Sequence, residues 1–178
     1  MIVVDANFLI LLLDPQGAMD HLDRGRERVE FFTQELGRTK EEIVIPAPVV
    51  AELVAGRLDR IEEIVSLLQR NRSFIVRPFD QVVAIETGEM IRRAVDRTPE
   101  GQRPPGWKAA MKYDAMIAAT AKVWRARAIC TDDKGLPNYL AGTKIEIIKL
   151  DELPYPPEDP QRQIPFDEED SSPGSSGR

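Results

Sequence analysis

One cysteine and one histidine are all that these 178 residues hold of either type. Cys130 alone can form no intrachain disulfide, which points to a reducing compartment. A zinc site of His and Cys ligands needs about four such residues, and a Cys–His catalytic pair would have to consist of His21 and Cys130 alone. Long apolar runs are also lacking: none approaches the ~20 residues that cross a bilayer. The opening run, MIVV, has no basic leader and ends at Asp5, so it is not read as a signal peptide. A cytoplasmic protein without membrane contact is expected. Net charge is missing from most of the chain too. Eight of the 30 acids and two of the 24 basic residues fall in 151–178, which leaves 22 of each in residues 1–150. The overall charge of −6 therefore belongs to the C-terminal stretch, and the rest is no obstacle to a polyanionic partner.

What is present is an alternation of short β-branched runs with longer helical patterns. Residues 1–4, 43–46, 74–78, 128–131 and 145–150 read as strands, mostly apolar on both faces. Strands covered on both sides imply a parallel sheet between helices. Helical patterns fill 7–13, 26–36, 48–55, 60–70, 81–95, 112–126 and 137–140. The expectation is an α/β protein, a three-layer α/β/α sandwich around a central, mainly parallel five-stranded sheet. Residues 14–25 and 97–107, rich in Gly, Pro and charge, read as surface loops. One domain spans 1–150. The segment 151–178, with PYPPEDP and DEEDSSPGSSGR, is acidic and Pro/Ser-rich and reads as a disordered tail.

Within this pattern several acids sit where apolar residues would be expected. Asp5 closes the first strand, and Asp132 and Asp133 follow the strand AICT. Glu52, in PAPVVAELVAG, and Asp114, in KYDAMIAATA, lie on helices whose neighbouring positions are small and apolar. Each has an ordinary explanation. Asp5 suits a helix N-cap, Asp132 and Asp133 suit turn chemistry, Glu52 a solvent-facing edge, and Asp114 the first turn of a helix starting near Lys112. Together they point elsewhere, because open parallel sheets bind ligands beyond the carboxyl ends of their strands. Four carboxylates ~6 Å apart at an effective dielectric of ~20 repel by roughly 3 kcal/mol per pair. Six such pairs would rival a domain's whole stability of ~5–15 kcal/mol. Protons or a multivalent cation must relieve this, and an oxygen-only ligand set selects Mg²⁺ or Mn²⁺. Such a site suits phosphoryl chemistry.

The segments VVDANFLI, PAPVVAELVAG, KYDAMIAATA and ICTDDKGL, in that order and over residues 1–150, resemble the PIN-domain ribonucleases. Within them the resemblance is particularly to the VapC-type toxins of toxin–antitoxin pairs. It implies that Asp5, Glu52 and Asp114 are the three principal acids and metal ligands, and that Asp133, within Thr131–Asp133, is the fourth. Asp132 is the alternative to Asp133. It also implies Mg²⁺-dependent hydrolysis of RNA phosphodiester bonds that leaves a 5′-phosphate, with water as nucleophile. A homodimer and a cognate antitoxin protein are the implied partners. Two departures stand out. Ala6 occupies a position where the family often has a small polar residue, and Gly135-Leu136 one where it often has an acidic and an aromatic residue. Asn7 is expected to supply the hydrogen bond that orients a carboxylate. The alternatives are a PIN nuclease of general RNA processing and an inactive PIN scaffold that binds RNA or protein. A phospho-receiver, which also gathers aspartates around Mg²⁺, would need an acceptor Asp after the third strand, where this chain has Arg77-Pro78.

RNA binding calls for cations. The candidates are Arg24, Arg26 and Arg28, then Arg92, Arg93, Arg97, Arg103, Lys108 and Lys112, with Lys134 beside the acids. Trp107 is the candidate for stacking on an unpaired base.

Overall fold

The structure is a computed structural model, and it describes residues 1–13, 22–99, 101 and 106–157, with the backbone alone for 107–110. Five strands form one parallel sheet: β1 (Ile2–Val4), β2 (Ile43–Pro46), β3 (Phe74–Arg77), β4 (Ala128–Cys130) and β5 (Glu146–Ile148), in the order β3-β2-β1-β4-β5. Every pairing is parallel, from Ile2 opposite Ile43 to Cys130 opposite Ile148. The three central strands are buried throughout, whereas the edge strands β3 and β5 are partly exposed. A sheet with its centre hidden on both faces needs helices on both, as the unbroken apolar runs require.

Among the described residues there are seven α-helices: α1 (Ala6–Leu13), α2 (Gly25–Arg38), α3 (Ala47–Gly56), α4 (Ile61–Arg70), α5 (Gln81–Arg97), α6 (Trp107–Val123) and α7 (Pro137–Leu140). None is long and apolar enough to cross a membrane. Short 3₁₀ turns at Leu58–Arg60 and Leu150–Glu152 complete the order. The α/β class and the parallel five-stranded sheet agree with the sequence pattern. The chain builds β1, β2 and β3 outward on one side, then places β4 on the other side of β1. The strand order thus reverses between β1 and β4, and that is where such sheets open a crevice.

Two expectations change. Helix α6 begins at Trp107, five residues before the expected start at Lys112, behind Gly106 with φ 78°. Asp114 is therefore two turns into the helix, and its first turn carries no acid. The dipole explanation for Asp114 falls with that. At the C-terminal side, packing continues past residue 150: Leu150 and Leu153 are buried against the core. Arg28 is buried as well, and its guanidinium donates to the carbonyls of Asp151 and Leu153. Tyr155 lies on that guanidinium at 3.7 Å and donates to Asp23 at 3.0 Å. Arg28 thus holds residues 151–155 against α2, so packing runs past the boundary expected at 150. Residues 158–178 of the expected tail, and loop residues 14–21, 100 and 102–105, lie outside the described residues.

Candidate metal centre

Asp5 follows β1 without a break. Its Oδ1 accepts from the Phe8 N–H at 3.0 Å, capping α1, and its Oδ2 accepts from the Thr131 hydroxyl at 2.5 Å. The helix cap and the candidate ligand are therefore the same residue. Asp5 is only 5% exposed, and this burial pushes its carboxyl up to about 6 against the pull of both hydrogen bonds. The hydrogen bonds that orient it come from Phe8 and Thr131, not from Asn7 as expected, although Asn7 lines the same cavity.

Thr131, the first residue after β4, is fully engaged. Its hydroxyl donates to Asp5 and accepts from the Asp133 N–H at 2.9 Å, so one buried group ties together the segments that follow β1 and β4. Asp133 in turn accepts from the Gly135 N–H at 2.7 Å, which turns its carboxylate toward Asp114. The turn leaves no room at residue 135: an added Cβ would stand 2.4 Å from Asp114 Oδ2 and 3.2 Å from Asp133 Oδ1. The missing side chain at Gly135 is what lets the two carboxylates approach each other. Asp114 is pushed up to about 7, first by burial and then by the neighbouring Asp133, with which it can share a proton. Glu52, from α3, stands exposed on the rim; partial burial and the charge of Asp133 raise its carboxyl as well.

These four acids border one cavity of about 220 Å³, with Tyr113, Ile117 and Leu136 among its walls. It lies at the carboxyl ends of β1 and β4, where the strand order reverses. Asp132 is not part of it. Its Oδ1 accepts from the Leu150 N–H at 2.9 Å, toward β5, and its charge reaches Asp5 only as a through-space effect. A larger hollow of about 620 Å³, between α1 and α4, contains Glu62, Glu63 and Arg70 but none of these acids. The donors around the smaller cavity are all oxygen, with no imidazole or thiol, and suit a hard divalent ion. Among the described residues no three acid, His or Cys side chains yet stand close enough to hold one ion. An ion bound there would have to draw the carboxylates inward.

The family model for the PIN domain matches residues 2–140. This chain belongs to the PIN domain family. No curated protein sequence matches it. Several solved structures share its fold at 15–23% identity. One, described as FitAB bound to an IR36 DNA fragment, has TM-score 0.55 and 22% identity, over 87% of this chain and 99% of that one. VapBC2 from Rickettsia felis, bound to a promoter DNA fragment, has TM-score 0.54 and 15% identity, over 84% and 98%. VapC20 from Mycobacterium tuberculosis, a toxin that cleaves the sarcin-ricin loop, has TM-score 0.52 and 15% identity, over 80% and 96%.

Within this PIN fold the expected cations divide. Arg24 pairs with Glu27, Arg26 with Glu30, Arg92 with Asp96 and Arg93 with Glu89, all on exposed helix faces. Arg28 is committed to the chain end, as described above. Arg97, Lys112 and Lys134 are exposed and form no ion pair among the described residues. Arg103 and the side chains of Trp107 and Lys108 lie outside the described residues. Sequence reasoning missed Tyr113 and Tyr139. Tyr139, on α7, is raised to about 12 by burial and then by the nearby Asp114 and Asp133. The signal for Tyr113 was available: it precedes Asp114 and stands four positions before Ile117, on the same side of the helix.

Proposed function

We propose that this protein is a Mg²⁺- or Mn²⁺-dependent endoribonuclease, and the toxin of a toxin–antitoxin pair. One observation carries the reading. Asp5, Glu52, Asp114 and Asp133 line a single cavity at the strand-order reversal of a PIN domain. A divalent ion bound there would polarise the phosphate and stabilise charge on the leaving oxygen. The chain's own contribution is positional. Thr131 and the Phe8 N–H hold Asp5, the Gly135 N–H holds Asp133, and α6 carries Asp114 to meet it. Water attacks phosphorus as the P–O3′ bond breaks, leaving a 3′-hydroxyl and a 5′-phosphate. No side-chain nucleophile is needed.

The toxin assignment is supported by the shared fold with VapC20, a toxin, and with VapBC2 and FitAB, which are described as bound to DNA. By the same reading the partners are RNA, a cognate antitoxin and a second copy of the chain. Exposed apolar side chains, Leu58, Ile61 and Val65 in one row and Phe79, Val82 and Ile85 in another, offer contact area for protein partners.

The test is cleavage of a mixed single-stranded RNA pool by the purified chain with Mg²⁺ or Mn²⁺, beside EDTA and Asp5→Asn. Metal-dependent cutting that falls about a hundredfold or more in the variant is expected. Absence of cutting with either ion, together with absence of ion binding in calorimetry, would favour the inactive scaffold.

A further inference from the structure

We propose that Tyr113 is the platform on which a base beside the scissile phosphate stacks. This rests on the ribonuclease reading above and names a substrate-positioning residue of the same site.

Tyr113 borders the carboxylate cavity, yet 45% of it is exposed. The other tyrosines with a described setting have evident structural roles. Tyr155 is covered by Arg28 and bonded to Asp23, and Tyr139 is half-buried against the core. Tyr113 has no hydrogen bond, ring contact or cation over its face among the described residues. An aromatic ring nearly half exposed beside four acids contributes little to the core, and its exposed part is of the kind a base covers.

The placement is also fixed. Tyr113 and Asp114 are consecutive on the rigid helix α6, with Ile117 one turn on. A ring held there keeps a constant distance from the acid that would hold the ion. Ile117, Leu136 and Ala6 add apolar wall to the cavity that the carboxylates also line. A nucleotide likewise joins an apolar base face to an anionic phosphate.

The experiment is a double-mutant cycle on the full chain. A single-stranded RNA with one mapped cut is compared with the same RNA carrying an abasic ribose at either nucleotide flanking that cut. Each is cleaved by the wild type, Tyr113→Phe, Tyr113→Leu and Tyr113→Ala. Stacking on one base corresponds to about a tenfold change. We expect Tyr113→Ala and Tyr113→Leu to raise KM about tenfold with kcat little changed, and Tyr113→Phe to stay within twofold. One of the abasic RNAs should weaken the wild type by about the same factor and the Ala variant by almost nothing further. The same cycle is read as Kd by fluorescence anisotropy of labelled RNA, in an Asp5→Asn background that cannot cut. Losses that simply add between the tyrosine and the base would overturn the proposal and leave Tyr113 a structural residue. So would Tyr113→Ala within twofold of wild type in both readouts. If the wild type fails to cut but the binding cycle is non-additive, the nuclease reading fails and the base platform stands.

Discussion

Thr131 is a buried hydroxyl, 1% exposed, whose two hydrogen bonds join the carboxylate of Asp5 to the backbone of Asp133. Groups that orient a ligand without touching the ion typically contribute 10–100-fold to affinity or activity. Thr131→Val keeps the shape and removes both bonds. Calorimetry should show ion affinity lower by about 10–100-fold, and unchanged affinity would mean that Asp5 is held by Phe8 alone. Gly135 acts by having no side chain. Gly135→Ala places a methyl against Asp114 Oδ2, and a displacement of this size costs about 10²-fold where geometry is demanding. Residue 135 does not have a positive φ, so alanine also narrows the unfolded ensemble. The expected result is ion affinity and cleavage falling sharply while the thermal midpoint hardly moves. A drop in midpoint with affinity intact would contradict it.

At the scale of elements, α6 and the chain end departed most from expectation. Pro104, Pro105 and Gly106 marked a loop in the sequence, and the helix then starts at once at Trp107. The start was placed late because Trp107–Met111 carries no strong periodic signal. The chain end was misjudged for another reason. Its proline and acid content signals disorder, but Leu150 and Leu153 are isolated apolar residues with a burial site waiting on α2. Arg28 adds donors for two carbonyls there, which explains a charged side chain only 7% exposed. Leu153→Ala should therefore cost about 2–5 kcal/mol in denaturant unfolding, as for a core leucine. A loss below ~0.5 kcal/mol, usual for surface positions, would show that this segment does not pack in solution.

For the whole molecule, the acid cluster links stability to pH. Asp5 and Asp114 have carboxyls raised from 3.8 to about 6 and about 7. The folded chain then holds protons that the unfolded chain releases, so this contribution to stability is full below about pH 4 and is lost as pH climbs through about 7. Glu41 does not confuse that window. Its carboxyl is held down near 2, first by Arg127 with the N-terminal amine adding to it, and its contribution is lost only below the usual glutamate range. In EDTA the thermal midpoint should be higher at pH 5.5 than at pH 8. Mg²⁺ competes with these protons, so it should raise the midpoint more at pH 8 than at pH 5.5. Equal shifts at the two pH values would show that the ion binds away from Asp5 and Asp114.

The sequence by itself determined the α/β class, the parallel sheet and the strands, because unbroken β-branched runs can only be satisfied between two helical layers. It also marked Asp5, Glu52, Asp114 and Asp133, since a carboxylate in an apolar run is visible in one dimension. What it could not determine was convergence. Asp132 and Asp133 are adjacent and chemically identical, and only the register of β4 with β5 turns the first toward Leu150 and leaves the second in the cavity. Arg28 reads as a surface cation until the chain end returns 123 residues later to accept its hydrogen bonds. Gly135 reads as a turn residue until Asp114 arrives from another element. Local pattern sets which face is apolar, but contacts between residues far apart in sequence are fixed only when the sheet closes and α6 packs across it.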